Sequence, residues 1–269
     1  MTSAGILPLI KSGLALGGSQ KADPPAALLD MGSNSIRLVV FDASGPWPKV
    51  LLNEKITASL GKGLEATGRL APQTKALALE GLARFGVLLK SIGVKDMTAI
   101  ATAAVRDASD GPVFLSQAAE ILGFPISIAQ GDQEALLGLK GIAAGIQNAE
   151  GLFADMGGGS MQMGHISQAY WSDGQELPRN SFPLGVLRLM EQAGSDTRAM
   201  SGIVRRAASN LDWIDKARGQ SLYLVGGSWR ALGQTHLRDT DYPLPMLHGY
   251  QQSRQELLPW LEKLRKADD

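Results

Sequence analysis

The stretch Leu28–Leu38, LLDMGSNSIRL, returns in altered form at Phe153–Met163 as FADMGGGSMQM. Both copies read Asp-Met-Gly-x-x-Ser, with Asp30 matching Asp155. In each copy the apolar residues before the aspartate predict a buried strand, and the apolar residues after the serine predict a second strand that returns from a tight turn. A strand-loop-strand unit that occurs twice indicates an internal duplication with one matching loop in each half.

The order of the predicted elements supports this duplication. The first half reads as three strands followed by alternating helices and strands, and the second half begins in the same way, with the third strand predicted at 169–175. We predict a helix over 199–217 and a glycine-rich loop over 60–72. The predicted divisions are a flexible tail (1–25), a first α/β domain (26–150) and a second (151–269). Compared with the first domain, the second stops before a final strand and helix, so we expect it to be C-terminally truncated.

The composition excludes several classes of protein. Lys plus Arg and Asp plus Glu both number 26, and without a basic run this balance predicts no nucleic-acid partner. The chain has no cysteine, which removes disulfides, thiolate metal sites and a cysteine nucleophile. No stretch approaches the roughly eighteen apolar residues that a membrane helix requires. The apolar start GILPLI is interrupted by Lys11 and reads poorly as a signal peptide, so we expect a cytoplasmic protein.

The two repeated loops have the composition of an anion site. A tight Gly- and Ser-rich turn exposes consecutive backbone N–H groups, and glycine lets a phosphate oxygen approach the backbone closely. A plain hairpin turn would explain either loop alone, but two related loops in matching places favour phosphate binding. The candidate residues are Gly32, Ser33, Asn34 and Ser35 in the first loop, and Gly157, Gly158, Gly159 and Ser160 in the second.

Six blocks of sequence resemble the exopolyphosphatase and guanosine pentaphosphate phosphatase family, within the actin, sugar kinase and Hsp70-like superfamily. The resemblance implies duplicated ribonuclease H-like (actin-like ATPase) α/β domains around a cleft, the second of them incomplete. The blocks occur in the family's order: DMGSNSIRLVV (30–40), ATAAVRDASDG (101–111), QGDQEALLGLKGI (130–142), ADMGGGSMQM (154–163), SFPLGVLRL (181–189) and LVGGSWRALG (224–233).

The resemblance also implies roles for two pairs of residues. Asp30 and Asp155, at the ends of their strands, would hold Mg²⁺, often through water; the alternative is an Asx-type turn without a metal. Glu134 would be the base that activates water, although any carboxylate at a helix start also offsets the helix dipole. Arg106, in the predicted loop after ATAAV, would bind phosphate; the alternative is a surface arginine paired with Asp107 or Asp110.

The sequence departs from the family pattern in three places. Gln133 stands where the family has the first of two glutamates, so that Glu134 is retained alone. Gln162 replaces a glutamate that usually follows the second loop, which removes a carboxylate. A Gly-x-Arg-Glu-Gly block near the end of the family's second half is absent, in the same region that the internal comparison finds missing.

The leading functional hypothesis is a phosphohydrolase that releases terminal phosphate from inorganic polyphosphate with Mg²⁺. Guanosine pentaphosphate (pppGpp) is the alternative substrate within the same chemistry. The departures above support a rival from another class, a non-catalytic member that binds phosphate or nucleotide. An ATP-dependent kinase of the same superfamily fits the sequence blocks less well. We expect no membrane partner, and a missing strand in the second half would leave a sheet edge at which a homodimer could form.

Overall fold

The computed structural model describes residues 24–45, 47–168, 170, 176–209 and 211–267. Of the predicted tail, residues 1–23 lie outside this part, as does most of the predicted strand at 169–175. The described residues contain two sheets, one in each half, with helices packed around them. Within them, no helix combines the length and the apolar character that a bilayer crossing needs.

The first sheet has the predicted strand, loop, strand start. Its strands are β1 (Ala26–Met31), β2 (Ser35–Asp42), β3 (Lys49–Thr57), β4 (Asp96–Ala101) and β5 (Ser127–Ile128). Their spatial order is β3-β2-β1-β4-β5, with β1 antiparallel to β2 and parallel to β4. Alternate residues of β2 are buried, as expected for a strand with one face on the core. This pairing places the end of β1, with Asp30, at the same sheet edge as the end of β4.

The helices of the first half explain two departures from the prediction. They are α1 (Leu64–Thr67), α2 (Pro72–Ile92), α3 (Ala103–Asp107), α4 (Gly111–Leu122) and α5 (Gly131–Gly145). The predicted loop at 60–72 contains α1, which left-handed glycines bound on both sides, at Gly63 and Gly68. Arg106 was predicted in a loop but lies on α3, since the chain turns into a helix directly after β4.

The second sheet repeats this pattern with four strands among the described residues. They are β6 (Gly151–Met156), β7 (Met161–Ile166), β8 (Arg179–Phe182) and β9 (Ser221–Val225), in the order β8-β7-β6-β9. Among the described residues the third strand is β8, whose backbone pairs with β7, whereas the predicted segment 169–175 lies outside these residues except for Tyr170. Within that segment the structure describes Tyr170, which is helical.

One of the helices that follow β8 is shorter than the sequence predicted. They are α6 (Val186–Ala193), α7 (Thr197–Ala208), a 3₁₀ turn (Ile214–Ala217), α8 (Gly227–Asp239) and α9 (Arg254–Ala267). The predicted helix over 199–217 is confirmed over 199–208 and wrong beyond, because the chain leaves the α-helix after Ala208 and re-forms a single 3₁₀ turn.

Helix α5 links the two halves. It follows β5 of the first sheet, yet it packs on β6, β7 and β8 of the second. Leu139 and Ile142 of α5 join a buried cluster with Phe153, and a Cβ on Gly138 would lie 2.6 Å from the Phe153 ring. The start of α5, with Glu134, consequently lies where the two halves meet. The predicted domain boundary at 150/151 stays a prediction.

Candidate active site

The two repeated loops fold as the same turn. The Gly32 N–H donates to the Ser35 carbonyl at 3.0 Å, and the Gly157 N–H donates to the Ser160 carbonyl at 3.0 Å. Because the same residue types occupy the same places, each loop turns tightly between its two strands. The duplication seen in the sequence is therefore present in the backbone hydrogen bonds.

The structure brings the two loops into contact with each other. A Cβ on Gly159 would lie 2.4 Å from Ser33 Oγ, and a Cβ on Gly158 would lie 3.3 Å from the backbone nitrogen of Asn34. An added Cβ would crowd the first loop at either position, which accounts for the glycines at 158 and 159. The loop residues predicted to bind phosphate thus form one site contributed by both halves.

Neighbouring segments hold each loop in place. The Gly61 N–H donates to the Ser33 carbonyl at 2.8 Å, and the Ser59 N–H donates to the Asn34 carbonyl at 2.9 Å. On the other side, the carbonyls of Gly157 and Gly158 accept the first N–H groups of α6, at 3.0 and 2.9 Å. Such backbone bonds fix the loop conformations before any ligand arrives.

Asp30 and Asp155 occupy equivalent places, each one residue before the end of its strand rather than at the end. Asp30 keeps access to solvent, but the protein atoms around its carboxyl raise its pKa, and the nearby Asp155 raises it further. Burial likewise raises the pKa of Asp155, while Arg230 opposes that rise. Two carboxylates that repel each other form a place where a cation is favourable.

This pair of aspartates fits Mg²⁺. The ion commonly takes one or two carboxylates and completes its shell with water and substrate phosphate oxygens. The protein does not supply a complete set of metal ligands. Among the described residues, no three carboxylate or imidazole side chains are grouped closely enough to bind one ion. The donor set suits an ion shared with a phosphate-bearing ligand better than an ion held by protein alone.

Glu134 lies near the start of α5, with its side chain 13% exposed. One carboxylate oxygen accepts a short hydrogen bond from Arg106 Nη1, and the other accepts one from Gln162 Nε2 at 3.2 Å. Burial raises the pKa of Glu134 to about 7; Arg106 opposes the rise, while Asp30 and Asp155 add to it. A carboxylate with this pKa can both accept and release a proton near neutral pH.

Arg106 lies beside the predicted base and also pairs with a neighbouring aspartate. Its side chain is 18% exposed and pairs with Glu134. It also contacts Asp107 at 3.1 Å, as the surface interpretation proposed, and donates to the Ala129 carbonyl at 3.1 Å. Asp110, the other proposed partner, pairs instead with Lys75 at 2.9 Å. Arg106 is therefore held rigidly beside Glu134.

Sequence reasoning missed the contacts of two residues near this site. Gln162 was noted only as a lost carboxylate, yet its amide donates to Ser160 Oγ at 2.9 Å and to Ser181 Oγ at 3.2 Å as well as to Glu134. Gly226 has a left-handed φ of 104°, and a Cβ there would lie 2.4 Å from Asp155 Oδ1. The strand position directly after the second loop was the available signal for Gln162.

Comparisons with known proteins agree with the resemblance. The Ppx/GppA phosphatase family model matches residues 39–269. Exopolyphosphatase 2 of Mycobacterium tuberculosis is 33% identical over 148 residues, 51% of this chain and 46% of that protein. The chain thus spans about half the length of the curated relatives it matches.

Solved structures show the same fold. An exopolyphosphatase from Cytophaga hutchinsonii superposes with a TM-score of 0.73 at 22% identity, covering 90% of this chain and 79% of that one. The type II variant of the Aquifex aeolicus Ppx/GppA phosphatase gives 0.64 at 20% identity, covering 91% and 81%. The duplicated α/β fold predicted from the sequence is confirmed, and the chain belongs to the Ppx/GppA phosphatase family.

Proposed function

We propose that this chain is a phosphohydrolase that releases terminal phosphate from inorganic polyphosphate. The observation that carries the proposal is Glu134, a mostly buried carboxylate whose pKa is raised to about 7. It lies beside the two repeated Gly- and Ser-rich loops. An ionised glutamate in a buried place lowers the stability of the folded state. Its presence next to an arginine and two aspartates therefore favours a functional role over a structural one. The family and the matched exopolyphosphatases support the choice of substrate.

Each group of residues has its own role in the proposed reaction. The two loops bind the terminal phosphoryl group through backbone N–H and Ser hydroxyl donors, and Arg106 binds a phosphate oxygen. Asp30 and Asp155 are the residues that would hold Mg²⁺, which when bound offsets negative charge on the phosphate oxygens. Glu134 takes a proton from the attacking water while that oxygen bonds to phosphorus and the bond to the bridging oxygen breaks.

Glu134→Gln tests the assignment of the base. The amide keeps the shape of the side chain but cannot accept a proton, so we expect phosphate release from polyphosphate to fall at least about 100-fold with the fold intact. Glu120→Gln, at an exposed site on α4, is the matched control and should retain full turnover. Wild-type turnover in the Glu134 variant would show that another group activates the water.

The wild-type protein decides between the remaining alternatives. Assayed with Mg²⁺ on polyphosphate and on pppGpp, it identifies the substrate that yields orthophosphate faster. If neither substrate is hydrolysed, the non-catalytic alternative, supported by Gln162 in place of the usual glutamate, becomes the better interpretation. A homodimer and a cytoplasmic location stay predictions.

A further inference from the structure

Gln162 lies between the second loop and Glu134. It is the second residue of β7, the strand that follows this loop directly, and only 5% of the residue is exposed. Its strand neighbours are Asp155 on β6 and Ser181 on β8, so β7 is paired on both sides at this point. A buried side chain on such a strand has little freedom to move, and its contacts are therefore a fixed part of the site.

One nitrogen of this side chain meets three oxygen atoms. Gln162 Nε2 donates to Ser160 Oγ at 2.9 Å, and to Ser181 Oγ and one carboxylate oxygen of Glu134 at 3.2 Å each. An amide nitrogen carries two hydrogens and cannot accept, so the three oxygens share these hydrogens as acceptors. The ionised Glu134 also fixes the direction of the amide, because a carboxylate has no hydrogen to give to the amide oxygen.

This arrangement decides where the hydroxyl hydrogen of Ser160 points. Because Ser160 Oγ accepts from Gln162, its single hydrogen is directed away from the amide. Ser160 Oγ donates to no residue in the part of the chain that the structure describes. The Ser160 carbonyl accepts the Gly157 N–H at 3.0 Å, which fixes the backbone of the loop. The hydroxyl is thus left as an uncommitted donor at a loop that we propose to bind phosphate.

A glutamate at 162, the residue usual in the family, would reverse this polarity. An ionised carboxylate only accepts hydrogen bonds, so Ser160 would donate to it and its hydrogen would be lost to a ligand in the loop. The same glutamate would place a second negative charge beside Glu134, where the amide now donates. The amide and the carboxylate therefore have opposite effects on the donors of the site.

We propose that Gln162 is a positioning residue, which turns the Ser160 hydroxyl towards a bound phosphate group and holds Glu134 beside it. Gln162 acts through these two residues and does not itself contact the phosphate. The identity of the ligand as phosphate rests on the proposed function, whereas the direction of the hydroxyl follows from the contacts of the amide.

Titration calorimetry of the full chain with inorganic phosphate at constant Mg²⁺ tests the link between Gln162 and Ser160. Gln162→Met removes the donor at similar length and Ser160→Ala removes the hydroxyl, and each should weaken phosphate binding about fivefold. The double variant should bind no more weakly than Ser160→Ala alone, because Gln162 acts through that hydroxyl. Gln117→Met, at an exposed site of α4, is the matched control and should bind as the wild type does. Effects that simply add in the double variant would overturn the proposal.

Gln162→Glu distinguishes a positioning role from the mere loss of a family carboxylate. This variant keeps the shape of the side chain, yet it should weaken phosphate binding at least about fivefold, because Ser160 then donates to the carboxylate. In the Ser160→Ala background the added loss should shrink, since no hydroxyl is left to turn. Equal or tighter phosphate binding in Gln162→Glu would overturn the proposal, and this variant decides the question if Gln162→Met does not fold.

Turnover of polyphosphate separates positioning from a folding defect. Gln162→Met should raise KM and lower kcat, because it loses contacts with both Ser160 and Glu134, whereas Ser160→Ala should mainly raise KM. A folding defect would lower kcat and the number of binding sites while KM and the phosphate dissociation constant stay unchanged, and that pattern would overturn the proposal. A wild type that shows the binding shifts but releases no phosphate would support the role of Gln162 while the proposed function fails.

Discussion

Replacing Glu134 by glutamine should stabilise the protein at alkaline pH, even as it removes turnover. The pKa of Glu134 is raised from 4.5 to about 7, so the folded state holds the proton more tightly than the unfolded state does. The wild type therefore loses stability as pH rises from 4.5 to 7, and the loss is complete above 7. From these two pKa values, the free energy of unfolding of the glutamine variant should rise relative to that of the wild type by roughly 2–3 kcal/mol between pH 5 and pH 8.

Urea unfolding of the two proteins at both pH values measures this change. In thermal melts of a chain of this size, the Tm of the glutamine variant should exceed that of the wild type by roughly 5–10 °C more at pH 8 than at pH 5. Glu120→Gln, on the exposed face of α4, is the control and should differ equally from the wild type at pH 5 and pH 8. A Glu134→Gln advantage that stays constant with pH would refute the reasoning, since Glu134 would then titrate alike in the folded and unfolded states.

Two further substitutions test the loops and the aspartates. Gly159→Ala should weaken phosphate binding by at least about tenfold, because the new Cβ would lie 2.4 Å from Ser33 Oγ and separate the loops. Gly141→Ala is the control, since its new Cβ would meet no other segment within 4 Å. Equal binding in both variants would contradict the contact. Asp155→Asn should lower Mg²⁺ affinity about tenfold in calorimetry with inorganic phosphate present; unchanged affinity would remove Asp155 from the metal site.

The sequence predicted the features that depend on local pattern. The repeated turn follows from residues at most five positions apart, and the hydrogen bonds donated by Gly32 and Gly157 show the tight turn that was predicted. Arg106, Glu134 and the two aspartates were predicted from blocks of sequence that resemble the family, and their roles stay predictions. The third strand of the second sheet was placed too early, because RNSF of β8 carries no strong strand pattern and its pairing with β7 defines it.

The features that the sequence could not predict depend on contacts between distant segments. Nothing in the periodicity of α5 indicates that it packs on the second sheet, although Gly138 fits against Phe153. The ion pair between Arg188 of α6 and Asp107 of α3 likewise joins distant segments, at 2.7 Å. Burial and hydrogen-bond satisfaction are properties of the packed chain, so a linear pattern does not encode them visibly.

Gln162 shows how the structure changes the meaning of a departure from the family pattern. In the duplication it matches Arg37, and the sheets place Arg37 opposite Asp30 and Gln162 opposite Asp155. In both copies, therefore, a side chain that donates hydrogen bonds is paired with an aspartate on the neighbouring strand. A glutamate at 162 would put a second negative charge beside Glu134, where the amide now donates at 3.2 Å, and would raise the pKa of Glu134 above about 7. The lost carboxylate is thus better understood as a gained hydrogen-bond donor to Glu134.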